Sequence, residues 1–403
     1  MNKFLIYILL FYYHLEFLLS RLVHFNKEDS ICILKIDAIG DMVLWLDVAE
    51  EIRRVYNNKK IVLICNNACI PLIEHLPFFD EIIGIDKHKF LFNIVYRTKF
   101  IKKIVNRKFE KVINPVFARD YFSQDILVRL LRAKEKIGSQ GQYLNTESVL
   151  TKIIRDETKR KKQSNKLKQK ADRYYNQLAT VNPLIIMEKT RNADFCRQCI
   201  SESFLSNIPQ IPFKLVSLNS FCNLKSKEYV VLFTGAGTQR RFWPIKNYVD
   251  LLKNLKGNTI VLSGGKGEDK MWKNIDSEDS YDYMKNVYNL IGKTSMIELF
   301  SLIAHAKYII TTDTSASHIT VITRTPSICL LGGNDKNRFH PYEVENISEE
   351  DKKILPKVVN YEMDCSGCNA ICKYIKDKET TWPCIENITV EQVLEKIKEI
   401  END

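Results

Sequence analysis

Residues 307–332, KYIITTDTSASHITVITRTPSICLLG, decide the fold. KYIITTD (307–313) is a short β-branched run and reads as a buried strand, SASHITVIT (315–323) reads as a helix, and SICLLG (327–332) reads as a second strand. Short apolar strands alternating with helices predict a parallel sheet covered on both faces. The same rhythm extends upstream. YVVLFT (229–234) and NTIVLSG (258–264) read as strands, while WPIKNYVDLLKNL (243–255) and SMIELFSLIAHA (295–306) read as helices, Pro244 being tolerated in a first turn. An earlier set comprises ICILKI (31–36), KIVLIC (60–65), EIIGI (81–85) and KVIN (111–114), with DMVLWLDVAEEIRRVY (41–56) at helical spacing. Two successive α/β units predict two Rossmann-like domains facing a central cleft. The boundary is expected within 205–228, where Pro209 and Pro212 break the periodicity. The domains expected are an apolar helix over 1–25, an N-terminal domain over 26–215 and a C-terminal domain over 216–403.

Length and composition agree with this. A chain of 403 residues with 45% hydrophobic and 27% charged residues is globular, which excludes a mostly disordered, collagen-like or polytopic membrane protein. Eleven cysteines are too few for a disulfide scaffold, and Cys32, Cys65 and Cys329 lie in apolar runs as core residues suited to a reducing cytosol. The formal charge of +11 is uneven: residues 151–173 hold ten Lys/Arg against three Asp/Glu. That stretch is either a solvated helix or a patch facing an anionic partner. Nucleic acid is the usual partner of such a patch, but no recognition helix, zinc-finger spacing or aromatic ribonucleoprotein motif lies beside it, so a phosphorylated lipid or glycan is equally admissible.

FLIYILLFYY (4–13) opens an apolar run that FLLS (17–20) continues, with no small-residue cleavage site after it. His14, Glu16, Ser20, Arg21 and His24 fall within an arc of about 160° at ~100° per residue. A helix lying in a membrane interface, a spanning helix and a helix packed on the protein are all open, the first being favoured.

Ligands of such sheets bind beyond the carboxyl ends of the strands, and chemistry is concentrated at three strand ends. In KIDAIGD (35–41), Asp41 is either a helix cap or a carboxylate placed to take a proton from a substrate hydroxyl. In TGAGTQRRFWP (234–244), Gly235 and Gly237 allow backbone N–H groups near an anion, with Arg240 and Arg241 adding charge. This is neither a P-loop nor a GxGxxG fingerprint, which argues against ATPase and dehydrogenase chemistry. In TTDTSASHIT (311–320), Asp313, Thr314, Ser315 and Ser317 open a helix, and His318 is one turn in, able to donate to a phosphate oxygen.

Together with TIVLSGGKGED (259–269), NLIGKTSMIELFSLIAHA (289–306) and PSICLLGGNDKNRFHPY (326–342), these blocks resemble glycosyltransferase family 9, the bacterial ADP-heptose:lipopolysaccharide heptosyltransferases, over about Ile31–Ile397. The resemblance implies a GT-B fold, an acceptor held by the N-terminal domain and a nucleotide-sugar donor, ADP-heptose, held by the C-terminal one. It implies metal-independent inverting transfer without a cofactor, to a lipopolysaccharide core or related anionic glycolipid, on the cytoplasmic face of the inner membrane. By the same resemblance Asp41 is the general base. Gly237, Thr238 and Arg241 lie by the donor phosphates, Glu268 by the ribose, and Thr294, Ser295 and Met296 by the adenine. Asp313, Thr314, Ser315, Ala316 and His318 surround the pyrophosphate and sugar. The sequence departs from the family pattern at Asp37, where Ser is usual, at Ser315, where Gly is usual, and at Gly332–Gly333–Asn334, where GPT is commoner. A transferase or epimerase using another nucleotide sugar, and a non-catalytic nucleotide-binding scaffold, are the alternatives. Cys365, Cys368, Cys372 and Cys384 form C-x2-C-x3-C-x11-C, open to a structural zinc or other cluster, to disulfides or to free thiols.

Overall fold

Two all-parallel sheets organise the chain. In the computed structural model, which describes residues 2–143, 149–150, 153–212, 215–220, 223–272, 284–368, 372–375 and 380–402, the chain divides into two units. The first comprises Met1–Met42, Val48–Ile185 and Arg191–Phe204; the second comprises Val43–Asp47, Ile186–Thr190 and Leu205–Asp403. The N-terminal helix thus belongs to the first unit, and the main division falls at Phe204–Leu205, ahead of the 215/216 expected.

The first unit holds β1 (Asn26–Lys27), β2 (Ser30–Lys35), β3 (Lys60–Asn66), β4 (Glu81–Ile85), β5 (Arg107–Asn114), β6 (Arg132–Ser139) and β7 (Gln177–Ala179), in the order β4-β3-β2-β5-β6-β7 with β1 paired to β5. The second holds β8 (Tyr229–Phe233), β9 (Thr259–Ser263), β10 (Val287–Asn289), β11 (Tyr308–Thr312), β12 (Ser327–Leu331) and β13 (Lys357–Asn360), in the order β10-β9-β8-β11-β12-β13. Every residue of β2, β11 and β12 is buried, as a sheet covered on both faces requires. In each sheet the chain works outward in one direction and then jumps back past its first strand. The reversal lies between β2 and β5 in one unit and between β8 and β11 in the other. Loops leaving the carboxyl ends of strands at such a reversal diverge and leave a crevice.

The helices that bear on the site are α1 (Asn2–Leu22), α2 (Ile39–Val43), α3 (Leu46–Val55), α4 (Ile94–Val105), α5 (Ile126–Leu130), α6 (Glu157–Asp172), α7 (Ile245–Asn254), α8 (Met296–Ala304) and α9 (Ser315–Ile322). The single helix expected over 41–56 is two, α2 and α3. Met42, Val43, Leu44, Trp45 and Leu46 are all buried, and a straight helix cannot bury five successive side chains that point all round its axis, so the chain turns at Leu44–Trp45. Pro244 is the N-cap of α7, one residue ahead of the first turn expected.

α1 turns its polar arc to the domain. Arg97 of α4, 3% exposed, donates from Nε and Nη2 to the two Glu16 carboxylate oxygens at 2.7 and 2.6 Å. Its guanidinium is stacked between the Tyr13 and Phe90 rings, 4.3 Å from each centroid. Arg21 Nη2 donates to the Arg129 carbonyl at 2.7 Å, and Arg129 Nη2 lies 2.8 Å from His14 Nδ1. The opposite face is apolar and exposed, with Phe4, Phe11 and Leu22 at 71%, 68% and 83%. By length and composition alone, Phe4–Leu22 could also cross a membrane. Most of the basic stretch forms α6; residues 153–156 and Arg173 flank that helix, and Thr151 and Lys152 lie outside the described residues. Within α6, Ser164, Leu167 and Ala171 are buried, and Asp172 pairs with the fully buried Arg119.

Removing one partner of a buried, hydrogen-bonded ion pair leaves the other uncompensated, at a cost of about 3–5 kcal/mol. Arg97→Ala is therefore expected to lower stability by about that amount, read from the urea midpoint, and to release α1 to proteolysis first.

Candidate functional site

Asp41 follows β2, the strand at the reversal of the first sheet. It is half-buried in the first turn of α2, two residues past the helix start, and so is not the helix cap that the spacing also allowed. It lies close enough to Cys69 to help raise that thiol, after burial and Asp37. The neighbouring carboxylate, Asp37, is committed elsewhere. Lys35, 1% exposed, donates to Asp37 Oδ2 at 2.8 Å, and Gln124 Nε2 donates to Oδ1 at 3.1 Å. A lysine buried inside a strand needs a counter-charge, which accounts for an aspartate where the family often has serine.

In the second unit the two loops at the β8/β11 reversal meet. Arg241 Nη2 lies 3.1 Å from Asp313 Oδ2 and also donates to the Asp313 carbonyl. Thr312 Oγ1 donates to the Gly235 carbonyl at 2.9 Å. Gly235 is glycine for a steric reason: a Cβ there would overlap the Glu268 carboxylate, and one at Gly264 would crowd it. Glu268 accepts from the Gly265 N–H at 2.6 Å, and burial raises its pKa, so it is harder to ionise than a surface glutamate. Gly235 thus makes room for a carboxylate, whereas the sequence reading gave it to an anion. Gly237, with open space where a Cβ would be, and Thr238, N-cap of the short Gln239–Arg241 turn, complete this loop.

Asp313 leads into α9, whose N-cap is Thr314. Ser315 is not among the residues with positive φ, so serine in place of glycine costs no backbone strain, and Ala316 behind it is buried. His318, 4% exposed, stacks on His340 with centroids 5.0 Å apart and planes within 1°, and its Nδ1 lies 2.6 Å from the Tyr342 hydroxyl. His340 Nε2 is 3.0 Å from Ser317 Oγ and 3.8 Å from Asp313 Oδ1. Burial pulls both imidazoles down to about 3, His340 adding to the effect on His318, so both are neutral near pH 7. Tyr342 is pushed well above its usual value by burial and keeps its proton. Among the described residues, Asp313, Cys329 and His340 also bring ligand-type atoms within 4.8 Å of one another. There the Arg241 guanidinium already supplies positive charge. Thr294, Ser295 and Met296 lie at the head of α8, where Ser295 and Glu298 form a reciprocal capping box.

His340 and Tyr342 escaped the sequence reading, although they lie inside one of the family-like blocks. What brings them to His318 is the register of the loop after β12, which no local periodicity encodes. A buried pair, Lys189 Nζ to Asp47 Oδ2 at 2.6 Å, also belongs to this unit and joins segments far apart in sequence.

Cys365, Cys368 and Cys372 lie near enough to Cys384 to act on its thiol, although among the described residues no three of these cysteines bring their sulfurs within 4.8 Å of one another. Burial raises the Cys384 thiol, and after a lowering contact from Gly333 each of the other three raises it further. The Gly367 N–H donates to the Gly333 carbonyl at 2.6 Å, and a Cβ on Gly333 would stand 3.0 Å from Ser366 Oγ. A proline at 333 would lose the backbone N–H that bonds the Cys384 sulfur and would press on Ser366, which gives a physical reason for Gly-Gly where GPT is commoner.

The neutral histidines set a pH signature. An unfolded histidine has a pKa of about 6.5, so the stability gained by keeping these two neutral is complete above that pH and is lost as pH falls toward about 3. The wild-type urea midpoint is expected to drop through this window. His340→Gln is expected to flatten the slope by up to about 1.4 kcal/mol per pH unit.

Known proteins resemble this chain in sequence and fold. The family model described as Glycosyltransferase family 9 (heptosyltransferase) matches residues 97–360, more than half of the chain. Lipopolysaccharide heptosyltransferase 3 of Escherichia coli K12 is 25% identical over 319 residues, 76% of this chain and 83% of that protein. The solved structure of E. coli heptosyltransferase WaaC with ADP superposes with a TM-score of 0.63 at 15% identity, covering 93% of this chain and all of that one (100%). The iron-containing dodecameric glycosyltransferase TibC of enterotoxigenic E. coli H10407 gives 0.51 at 12% identity, covering 94% and 80%. With the family model spanning strands of both sheets, the chain belongs to glycosyltransferase family 9 and is a glycosyltransferase of the GT-B fold.

Proposed function

We propose that this protein transfers heptose from ADP-heptose to the core of a lipopolysaccharide or a related glycolipid, by a single inverting displacement with no metal at the reacting centre. The observation that carries the reading is the ion pair between Arg241 and Asp313. It gathers the two loops of the β8/β11 reversal around one point, where a nucleotide diphosphate finds a guanidinium, a helix start and a neutral imidazole. The relatives' heptosyltransferase names and the ADP in the WaaC structure support the donor.

In the proposed reaction the Asp41 carboxylate takes the proton of an acceptor hydroxyl. The hydroxyl oxygen bonds to the anomeric carbon as the bond from that carbon to the diphosphate breaks, and ADP leaves with the electron pair. Arg241 exchanges Asp313 for the departing phosphate and offsets its charge. Gly237, Thr238 and Ser315–Ala316 line the phosphate, Glu268 faces the ribose, and Thr294–Met296 border the adenine. Because Tyr342 keeps its proton and can donate to Nδ1, His318 retains an Nε2–H for an oxygen of the donor. The enzyme works on the cytoplasmic face of the inner membrane, the exposed apolar face of α1 resting on the bilayer. Nucleic acid is not a partner in this reading.

Asp41→Asn is expected to bind ADP-heptose with unchanged affinity while transfer falls by about 10²–10⁴-fold. Substantial turnover in this variant would remove the base assignment.

The C-x2-C-x3-C-x11-C spacing of the four C-terminal cysteines suits a structural metal, since four thiolates can close a tetrahedral site once drawn together around the ion. Iron is named in TibC, a structure of the same fold. Purified protein is expected to carry about one equivalent of metal, iron or zinc, by elemental analysis. Cys368→Ser should lose the metal and lower the melting temperature while leaving the KM for donor in place. Metal-free protein with all four thiols titratable would reject the site.

A further inference from the structure

At the end of α1 the first unit carries a pocket of about 260 Å³ whose lining includes Arg21, Lys108, Arg132 and Lys136, with Phe25 and Leu131 between them. Four of its lining residues are cationic and none is a carboxylate. Among the described residues, the hydrogen bonds these side chains make go to backbone carbonyls. Arg21 Nη2 donates to Arg129 O at 2.7 Å, Arg132 Nη2 to Ser20 O at 2.8 Å and Val23 O at 3.2 Å, and Lys136 Nζ to Val128 O at 2.5 Å. Lys108 Nζ and the Arg132 guanidinium face the Phe25 ring at 5.7 and 4.5 Å. Arg132 Nε, and Nη1 of the adjoining Arg129, are buried without a hydrogen-bond partner.

Cations do not gather this closely without cost. Burial, with Arg21 and Arg129 nearby, pulls the Lys136 ammonium down to about 7, and Arg21 is lowered by burial and then by Arg132 and Arg129. An anion seated among them would offset that repulsion. The pocket is separate from the proposed reaction site within the same unit. Lys108 and Arg132 stand at the amino ends of β5 and β6, whereas Asp41 follows the carboxyl end of β2, which runs parallel to β5.

The occupant is indicated by the pocket's surroundings. The same helix exposes Phe4, Phe11, Leu18 and Leu22 on its outward face, the last two at the pocket's end. An apolar helical face with unneutralised cations at its end matches an anionic bilayer, where acyl chains accept the apolar side chains and headgroups meet the charges. We propose that Arg21, Lys108, Arg132 and Lys136 seat the headgroup phosphate of an anionic phospholipid in the bilayer on which α1 rests. The inference rests on the membrane-bound reading given above and adds to it a defined headgroup site.

The test is flotation of the full chain with two kinds of vesicle at constant ionic strength, one of phosphatidylcholine and one in which about a third is phosphatidylglycerol. The wild type is expected to bind the anionic vesicles more tightly. Arg132→Gln combined with Lys136→Gln is expected to cost about 30-fold in affinity for them, from about 1 kcal/mol per basic residue near an anionic surface, with phosphatidylcholine binding unchanged. Phe11→Ser combined with Leu22→Ser should weaken binding to both. If the double glutamine variant keeps wild-type affinity for anionic vesicles, the headgroup site is overturned while the membrane reading stands. If the wild type floats with neither vesicle, both fall. Arg132 also holds the end of α1, so should that variant melt early, Lys108→Glu, which breaks no hydrogen bond, must show the same selective loss or the site is rejected.

Discussion

The reversal of strand order between β8 and β11 is the constraint on which the candidate site of the second unit depends. Parallel strands deliver all their carboxyl ends to one edge, and at the reversal two neighbouring loops leave in opposite directions, so no helix covers the ground between them. The residues with unusual requirements are at this point. Gly235 has no room for a side chain, Glu268 carries a raised pKa, Arg241 reaches across to Asp313, and α9 begins at Ser315. Elsewhere the sheet is closed: the five residues of β11 and the five of β12 are all buried.

Charge in this region is arranged around neutral imidazoles. Two stacked histidines cannot both ionise away from water, and burial keeps both well below neutral pH. Positive charge here is carried by guanidinium groups such as Arg241, which presents a planar fork of donors. Asp313 keeps that fork in place.

The first unit shows the opposite economy at α1. Its polar residues are spent on the domain, through the stacked and bidentate Arg97–Glu16 pair, and its large apolar residues remain outside. The arc of His14, Glu16, Ser20 and Arg21 was visible on a helical wheel. Which side faced the protein was not, because that depends on Arg97, eighty-one positions away from Glu16.

The sequence by itself determined the two parallel sheets, since unbroken apolar strands separated by helical spacing leave a chain no other way to bury both faces. It also located the three strand-end loops, because glycine, aspartate and hydroxyl residues gathered after a strand have few other uses. Tertiary structure decided what those residues do to one another. Asp37 became the counter-charge of Lys35. Gly235 became the berth of Glu268. His318 acquired His340 and Tyr342 as neighbours. Each of these pairings joins segments whose proximity is set by strand order and loop register, and a one-dimensional pattern of hydrophobicity carries no record of either.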